Sequence, residues 1–224
     1  MAQAFVAKGS RVMLVDRDSA VAEAAKSLGD NAFALCRDVT PDDAGSQVVA
    51  SALDVFGRLD VVVNNAGIGP LAPAEDFTTE LWDATIGLNL RAAFLMARAA
   101  AKPMLAAGIG RIINIASQAA TVGIEGHVAY CSSKAGLLGM TRCMALEWGR
   151  NGITVNAISP TVVETELGLS GWAGEKGEKA RREIPVGRFA RPDEIAEAAV
   201  FLASSKAAMI NGVDFKIDGG YTIR

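Results

Sequence analysis

The sequence predicts a doubly wound α/β domain built on a parallel sheet, and two observations carry that reading. Apolar runs with β-branched residues recur at positions 11–15, 32–39, 59–64, 111–116, 153–158 and 213–217. They are continuously apolar instead of alternating, the pattern of strands covered on both faces. Helical signals fall between them, and strand–helix alternation is what winds a parallel sheet.

Taken in order, residues 1–8 carry Ala2, Ala4, Phe5 and Ala7 and read as the last turns of a helix that Gly9 stops. The first strand ends at Asp16. A second helix is expected from Thr40-Pro41-Asp42-Asp43, a cap and a first-turn proline, to about Phe56 before Gly57. Residues 79–107 read as a long helix rich in Ala and Leu, and 129–148 as another closed by Gly149. Arg191-Pro192-Asp193-Glu194 opens a further one. No linker, repeat or low-complexity run divides the chain, so one domain spans 1–224. The irregular stretch is 161–183, where Gly168, Gly171, Gly174 and Gly177 interrupt polar sequence. So long a connection is expected to be a lid over a site or a surface insertion.

Composition narrows the function classes. Lysines and arginines number 22 against 25 aspartates and glutamates, and the net charge of −3 supplies no field for a nucleic acid. No window approaches the length of a spanning helix, so no membrane partner is expected. Cys36, Cys131 and Cys143 lie far apart with neither metal-ligand spacing nor an even count, which suits a reduced cytoplasm and no bound metal.

Chemistry concentrates between positions 117 and 134. Tyr130 and Lys134 stand four apart on an expected helix and therefore share a face. An ammonium beside a phenol is expected to lower its pKa and make it a proton shuttle. Ser117 follows an apolar strand at its carboxyl end, where open α/β sheets bind ligands, and its hydroxyl can hold a substrate oxygen. His127, the only histidine, either meets a substrate hydroxyl or faces solvent.

With these residues the chain resembles the classical short-chain dehydrogenases/reductases, whose fold is Rossmann-like. Asn64-Asn65-Ala66-Gly67 resembles the family's NNAG element, and Asn89, Ser117, Tyr130 and Lys134 resemble its catalytic tetrad. Asp38-Val39 is similar to the pair beside the adenine, and Ile217-Asp218-Gly219-Gly220 to the C-terminal ending. The segment from Pro160 to Thr165, with Val163, resembles the stretch beside the nicotinamide, except that Thr161 stands where the family has glycine.

The resemblance implies hydride transfer between a nicotinamide and a secondary alcohol or ketone. Tyr130 would take the proton, Ser117 hold the oxygen, Lys134 bind ribose and tune Tyr130, and Asn89 support a water relay. Asp16, Asp38, Val39, Asn64, Ala66, Gly67, Tyr130, Lys134, Val163 and Thr165 would hold the cofactor. Asp16 would repel a 2′-phosphate, so NAD is expected over NADP. The acidic residue of such folds follows the glycine fingerprint by about 20 residues, so the reading places the first βα unit before Met1 and expects weak NAD binding by the chain as written. The polar run around Glu164–Lys176 resembles the lid of polyol and sugar-alcohol dehydrogenases, making a hydroxylated small molecule the expected substrate. A 3-oxoacyl thioester reductase and a catalytically silent oligomer subunit stay open as alternatives. By the same analogy the chain is expected to form a homotetramer or dimer.

Overall fold

The computed structural model describes residues 1–170 and 172–223; Gly171, one of the glycines singled out above, lies outside them. In chain order the elements are α1 (Ala2–Ala7), β1 (Val12–Asp16), α2 (Val21–Ser27), β2 (Ala32–Cys36), α3 (Ala44–Phe56), β3 (Val61–Asn64), α4 (Thr79–Ile86), α5 (Ala93–Ala107), β4 (Gly110–Ile115), α6 (Val128–Trp148), β5 (Ile153–Pro160), α7 (Glu166–Ser170), α8 (Gly174–Glu183), α9 (Pro192–Ala203) and β6 (Asp214–Ile217). All six expected strands form, and every strand pairing is parallel.

Four strands make one sheet in the order β3-β4-β5-β6, while β1 and β2 pair separately. A cavity of about 690 Å³ lies between the two, walled by Val12, Met13 and Val15 of β1 and by Val61, Val62 and Val63 of β3. β1 thus has β2 as its strand neighbour on one side and this cavity on the other.

Burial on both faces explains why the strands read as unbroken apolar runs. Ile112 and Val155 pack with Ala97, Ala100 and Met104 of α5 and Met144 of α6. Their neighbours Ile113 and Ile158 point the other way, into Ile195, Ala199 and Leu202 of α9, with Phe5 of α1 added at the edge. Successive strand residues alternate between faces, and each fully buried side chain of this size contributes about 1.5–3 kcal/mol.

Two expected helix boundaries move. The helix foreseen from Thr40 begins at Ala44, because the Thr40 N–H and hydroxyl both donate to Asp38 Oδ1 and close a turn instead of capping a helix. The long helix over 79–107 is interrupted at Gly87–Ala92 by a π-helical turn, the extra residue of which widens the helix where Asn89 sits. α9 starts as expected: Pro192 occupies its first turn and Glu194 accepts from the Arg191 N–H at 2.8 Å. Arg188 pairs with Glu194 and, with that N–H, holds its carboxyl down to about 2. The stretch 161–183 is folded, not irregular, since it carries α7 and α8.

Candidate active site

A second cleft, of about 270 Å³, opens at the carboxyl ends of β4 and β5. Ser117 enters from the loop after β4, Tyr130 and His127 from the start of α6, and Pro160 and Thr161 from the end of β5. Val163, Thr165 and Trp172 close it from the 161–183 side. The sheet places these residues together because each follows a parallel strand or the helix packed on it.

Ser117 caps a short 3-10 turn, its Oγ accepting from the Ala119 N–H at 3.1 Å, and it shares a hydrogen bond with the Tyr130 phenol. The His127 ring meets Tyr130 edge-on at 6.1 Å between centroids, and its Nδ1 lies 2.7 Å from the Glu125 carbonyl. His127 thus forms part of the cleft wall. One helical turn behind Tyr130, Lys134 is buried and donates from Nζ to the Ile115 carbonyl at 2.7 Å. A single acceptor leaves two of its three N–H donors for other partners.

The electrostatics correct one expectation. Burial pushes the Tyr130 phenol up from its ordinary value, the Ser117 hydrogen bond opposing it, and Lys134 is not among the causes. The same burial acts on Lys134 and lowers its pKa to about 8, so desolvation disfavours the charged form of both groups.

The Asn89 amide is engaged within the protein. Its Oδ1 accepts from the Ile68 N–H and its Nδ2 donates to the Ile68 carbonyl, both at 2.9 Å, and Nδ2 reaches Ser133 Oγ at 3.1 Å. With the amide so engaged, the side chain fastens the loop after β3 to α6. Gly67 belongs to the same contact: a Cβ there would lie 3.2 Å from Asn89 Oδ1 and 3.6 Å from Lys134 Nζ.

The remaining predicted cofactor residues divide. Asp16, Val39, Asn64 and Ala66 line the larger cavity between β1 and β3. The Asn64 amide is turned inward, donating to Asn114 Oδ1 at 2.8 Å, so it braces β4 and offers no side-chain donor outward. Asp38 borders neither cavity; the Thr40 N–H takes its Oδ1 and lowers its pKa. At Thr161 the backbone needs no glycine, since among the described residues every positive φ belongs to a glycine.

Two features of the site, at Gly69 and Ile68, escaped sequence reasoning. Gly69 approaches Tyr130 so closely that a Cβ would lie 3.3 Å from Cδ2 of the ring. Ile68 is the grip for Asn89, through backbone atoms that no motif displays. Gln118 and Thr161 line the cleft with buried polar atoms, Oε1 and Oγ1, that find no hydrogen-bond partner.

A family model described as enoyl-(acyl carrier protein) reductase matches residues 1–222. The chain belongs to the short-chain dehydrogenase/reductase family. Within it, the chain is 52% identical to D-threitol dehydrogenase of Mycolicibacterium smegmatis, covering 100% of this chain and 88% of that protein. It is 44% identical to the NAD-dependent glycerol dehydrogenase of Listeria innocua, over 100% of this chain and 89% of the relative. The solved 3-ketoacyl-(acyl-carrier-protein) reductase of Brucella melitensis, complexed with NADH, superposes with a TM-score of 0.93 at 35% identity, covering 99% and 91% of the two chains. As a short-chain dehydrogenase/reductase the chain is an NAD(P)-dependent oxidoreductase acting on alcohols.

Proposed function

We propose that this enzyme interconverts a small polyol or sugar alcohol and its ketone with NAD. The observation that carries the reading is the meeting of Ser117 and Tyr130, hydrogen-bonded to each other, in a small cleft walled by polar groups from Gln118, His127 and Thr161. The relatives named for threitol and glycerol support the same substrate class.

The residues present fit a dinucleotide at its nicotinamide end. Lys134 Nζ keeps two donors suited to ribose hydroxyls, and Val163 and Thr165 line the cleft beside Tyr130. A bound nicotinamide supplies the hydride chemistry. In oxidation the Tyr130 phenolate accepts the substrate hydroxyl proton, and in reduction the phenol returns it; burial raises its pKa and so favours the protonated, donating form. Ser117 Oγ holds the reacting oxygen. Asn89 positions the loop that carries Gly67 and Gly69 against Lys134 and Tyr130. Asp16, exposed at the end of β1, favours NAD over NADP. Val163, Thr165 and Trp172 act as a cover over the cleft. The exposed apolar side chains Phe94 and Leu105 of α5 and Leu146 of α6 support a homo-oligomer. Among the described residues no helix is long and apolar enough to cross a membrane.

Nicotinamide reduction measured with D-threitol, glycerol and galactitol, beside oxidation of NADH by a 3-oxoacyl thioester, tests the reading. Turnover of a polyol with NAD is expected; turnover of the thioester alone would overturn it.

A further inference from the structure

Four buried side-chain atoms lack a hydrogen-bond partner among the described residues. Two of them, Arg111 Nε and Thr154 Oγ1, sit side by side near the amino ends of β4 and β5, where Arg111 and Thr154 are register partners. The other two, Gln118 Oε1 and Thr161 Oγ1, belong to residues that line the active-site cleft at the opposite, carboxyl end of the same strands. Gln118 is 4% and Thr161 7% exposed, so water does not solvate either group freely. Buried polar groups are nearly always paired, and two unpaired groups on residues that line one cleft call for an external partner.

We propose that Gln118 and Thr161 are the specificity residues that bind the hydroxyl on the carbon next to the reacting one, so that the cleft selects vicinal diols over isolated alcohols. The inference rests on the polyol reading and adds to it the residues that enforce the choice. Gln118 directly follows Ser117, whose hydroxyl bonds Tyr130, so its amide lies next to the position of the reacting oxygen. Thr161 faces it from the end of β5, with its backbone pinned by its N–H donating to the Ile217 carbonyl at 3.1 Å. The backbone of Thr161 is therefore set on the side of the cleft opposite Gln118. A substrate hydroxyl, both donor and acceptor, satisfies the two at once. The wall also includes the apolar Ile124 and Val162, and His127, whose Nδ1 is already engaged by the Glu125 carbonyl. The volume of about 270 Å³ suits a ligand of a few carbons.

The test compares butane-2,3-diol with butan-2-ol, which differ by one vicinal hydroxyl, in the wild type, Gln118→Met, Thr161→Val and the double variant. Wild type is expected to prefer the diol in kcat/KM, and each variant to cut the diol-to-monoalcohol ratio on the order of 10- to 100-fold, mainly through KM. Thermal melting supplies a reading independent of turnover. Because each substitution removes an unpaired buried group, the unliganded Tm is expected to hold or rise, while the Tm increase produced by saturating butane-2,3-diol is lost. A diol preference retained by the double variant would overturn the inference and leave the polyol reading standing. A wild type without any diol preference overturns the polyol reading instead. Parallel losses with both alcohols, accompanied by a lower unliganded Tm, mean that the two residues are structural and also overturn the inference.

Discussion

Asn89 holds both backbone polar groups of Ile68, accepting from its N–H and donating to its carbonyl at 2.9 Å each. Such a two-point grip converts a loop into a fixed support for Gly67 and Gly69, which in turn crowd Lys134 and Tyr130. Asn89→Leu fills the same space but leaves the Ile68 groups and Ser133 Oγ short of a partner, at about 1–3 kcal/mol for each group that stays buried. A loss of about 2–4 kcal/mol in urea unfolding is expected, with kcat falling more than tenfold. Asn89→Asp, which keeps the acceptor half, is expected to fall between. Equal stability of the Leu variant and wild type would show that the grip contributes nothing.

Lys134 costs stability in order to serve the site. Its folded pKa, about 8, lies below the 10.5 of the free side chain. Between those values the unfolded chain binds a proton that the folded chain does not, so stability contributed through this group rises with pH across the window and the penalty is full below pH 8. The depression corresponds to roughly 3 kcal/mol. Lys134→Met removes the penalty and also the hydrogen bond to the Ile115 carbonyl, worth about 1 kcal/mol. At pH 7 the inactive variant is therefore expected to be more stable than wild type by about 2 kcal/mol, and the advantage to vanish as pH approaches 10.5. The raised Tyr130 pKa destabilises both proteins alike at high pH and cancels in the difference. Denaturant melts at pH 7 and pH 10 check this; an advantage independent of pH would refute it.

Much of this arrangement was legible in the sequence, and the boundary follows a physical line. The six strands showed because burial on both faces leaves an unbroken apolar run, and α9 showed because its first turn is written in Pro192 and Glu194. Ser117, Tyr130 and Lys134 showed because the chemistry needs those side chains at fixed spacing. What did not show depends on contacts distant in sequence. The Thr40 hydroxyl serves Asp38 instead of a helix, the π-helical turn turns Asn89 toward Ile68, and the phenol responds to burial and not to Lys134. Separation of β1 from β3 likewise emerges only when strand pairing is known.

Gly45 marks a close crossing of α3 and α5. A Cβ at this position in α3 would lie 2.5 Å from the Leu95 carbonyl oxygen of α5, a backbone atom that cannot swing aside. Alanine gains up to about 1 kcal/mol in helix propensity over glycine, but separating two packed helices costs about 1–3 kcal/mol and disturbs the whole face that includes Val49 and Met104. Gly45→Ala is expected to lower stability by about 1–2 kcal/mol with the cofactor preference unaltered. A variant as stable as wild type would mean that α3 and α5 can separate freely.

Asp16 ends β1 exposed, its Oδ1 accepting from the Asp18 N–H at 3.0 Å, and it borders the large cavity. Asp16→Asn retains that acceptor and removes only the charge, so the turn should persist while repulsion of a 2′-phosphate disappears. Charges a few ångströms apart in water interact by about 1 kcal/mol each, and a phosphate carries nearly two, so kcat/KM with NADP relative to NAD is expected to rise roughly tenfold or more. Arg17, adjacent in sequence, is then free to attract the phosphate. Because the effect is electrostatic and exposed, it should shrink between low and high salt. Measuring both cofactors at two ionic strengths separates this from a lost ribose contact: a fall with NAD alone, insensitive to salt, would show that Asp16 binds hydroxyls without excluding phosphate.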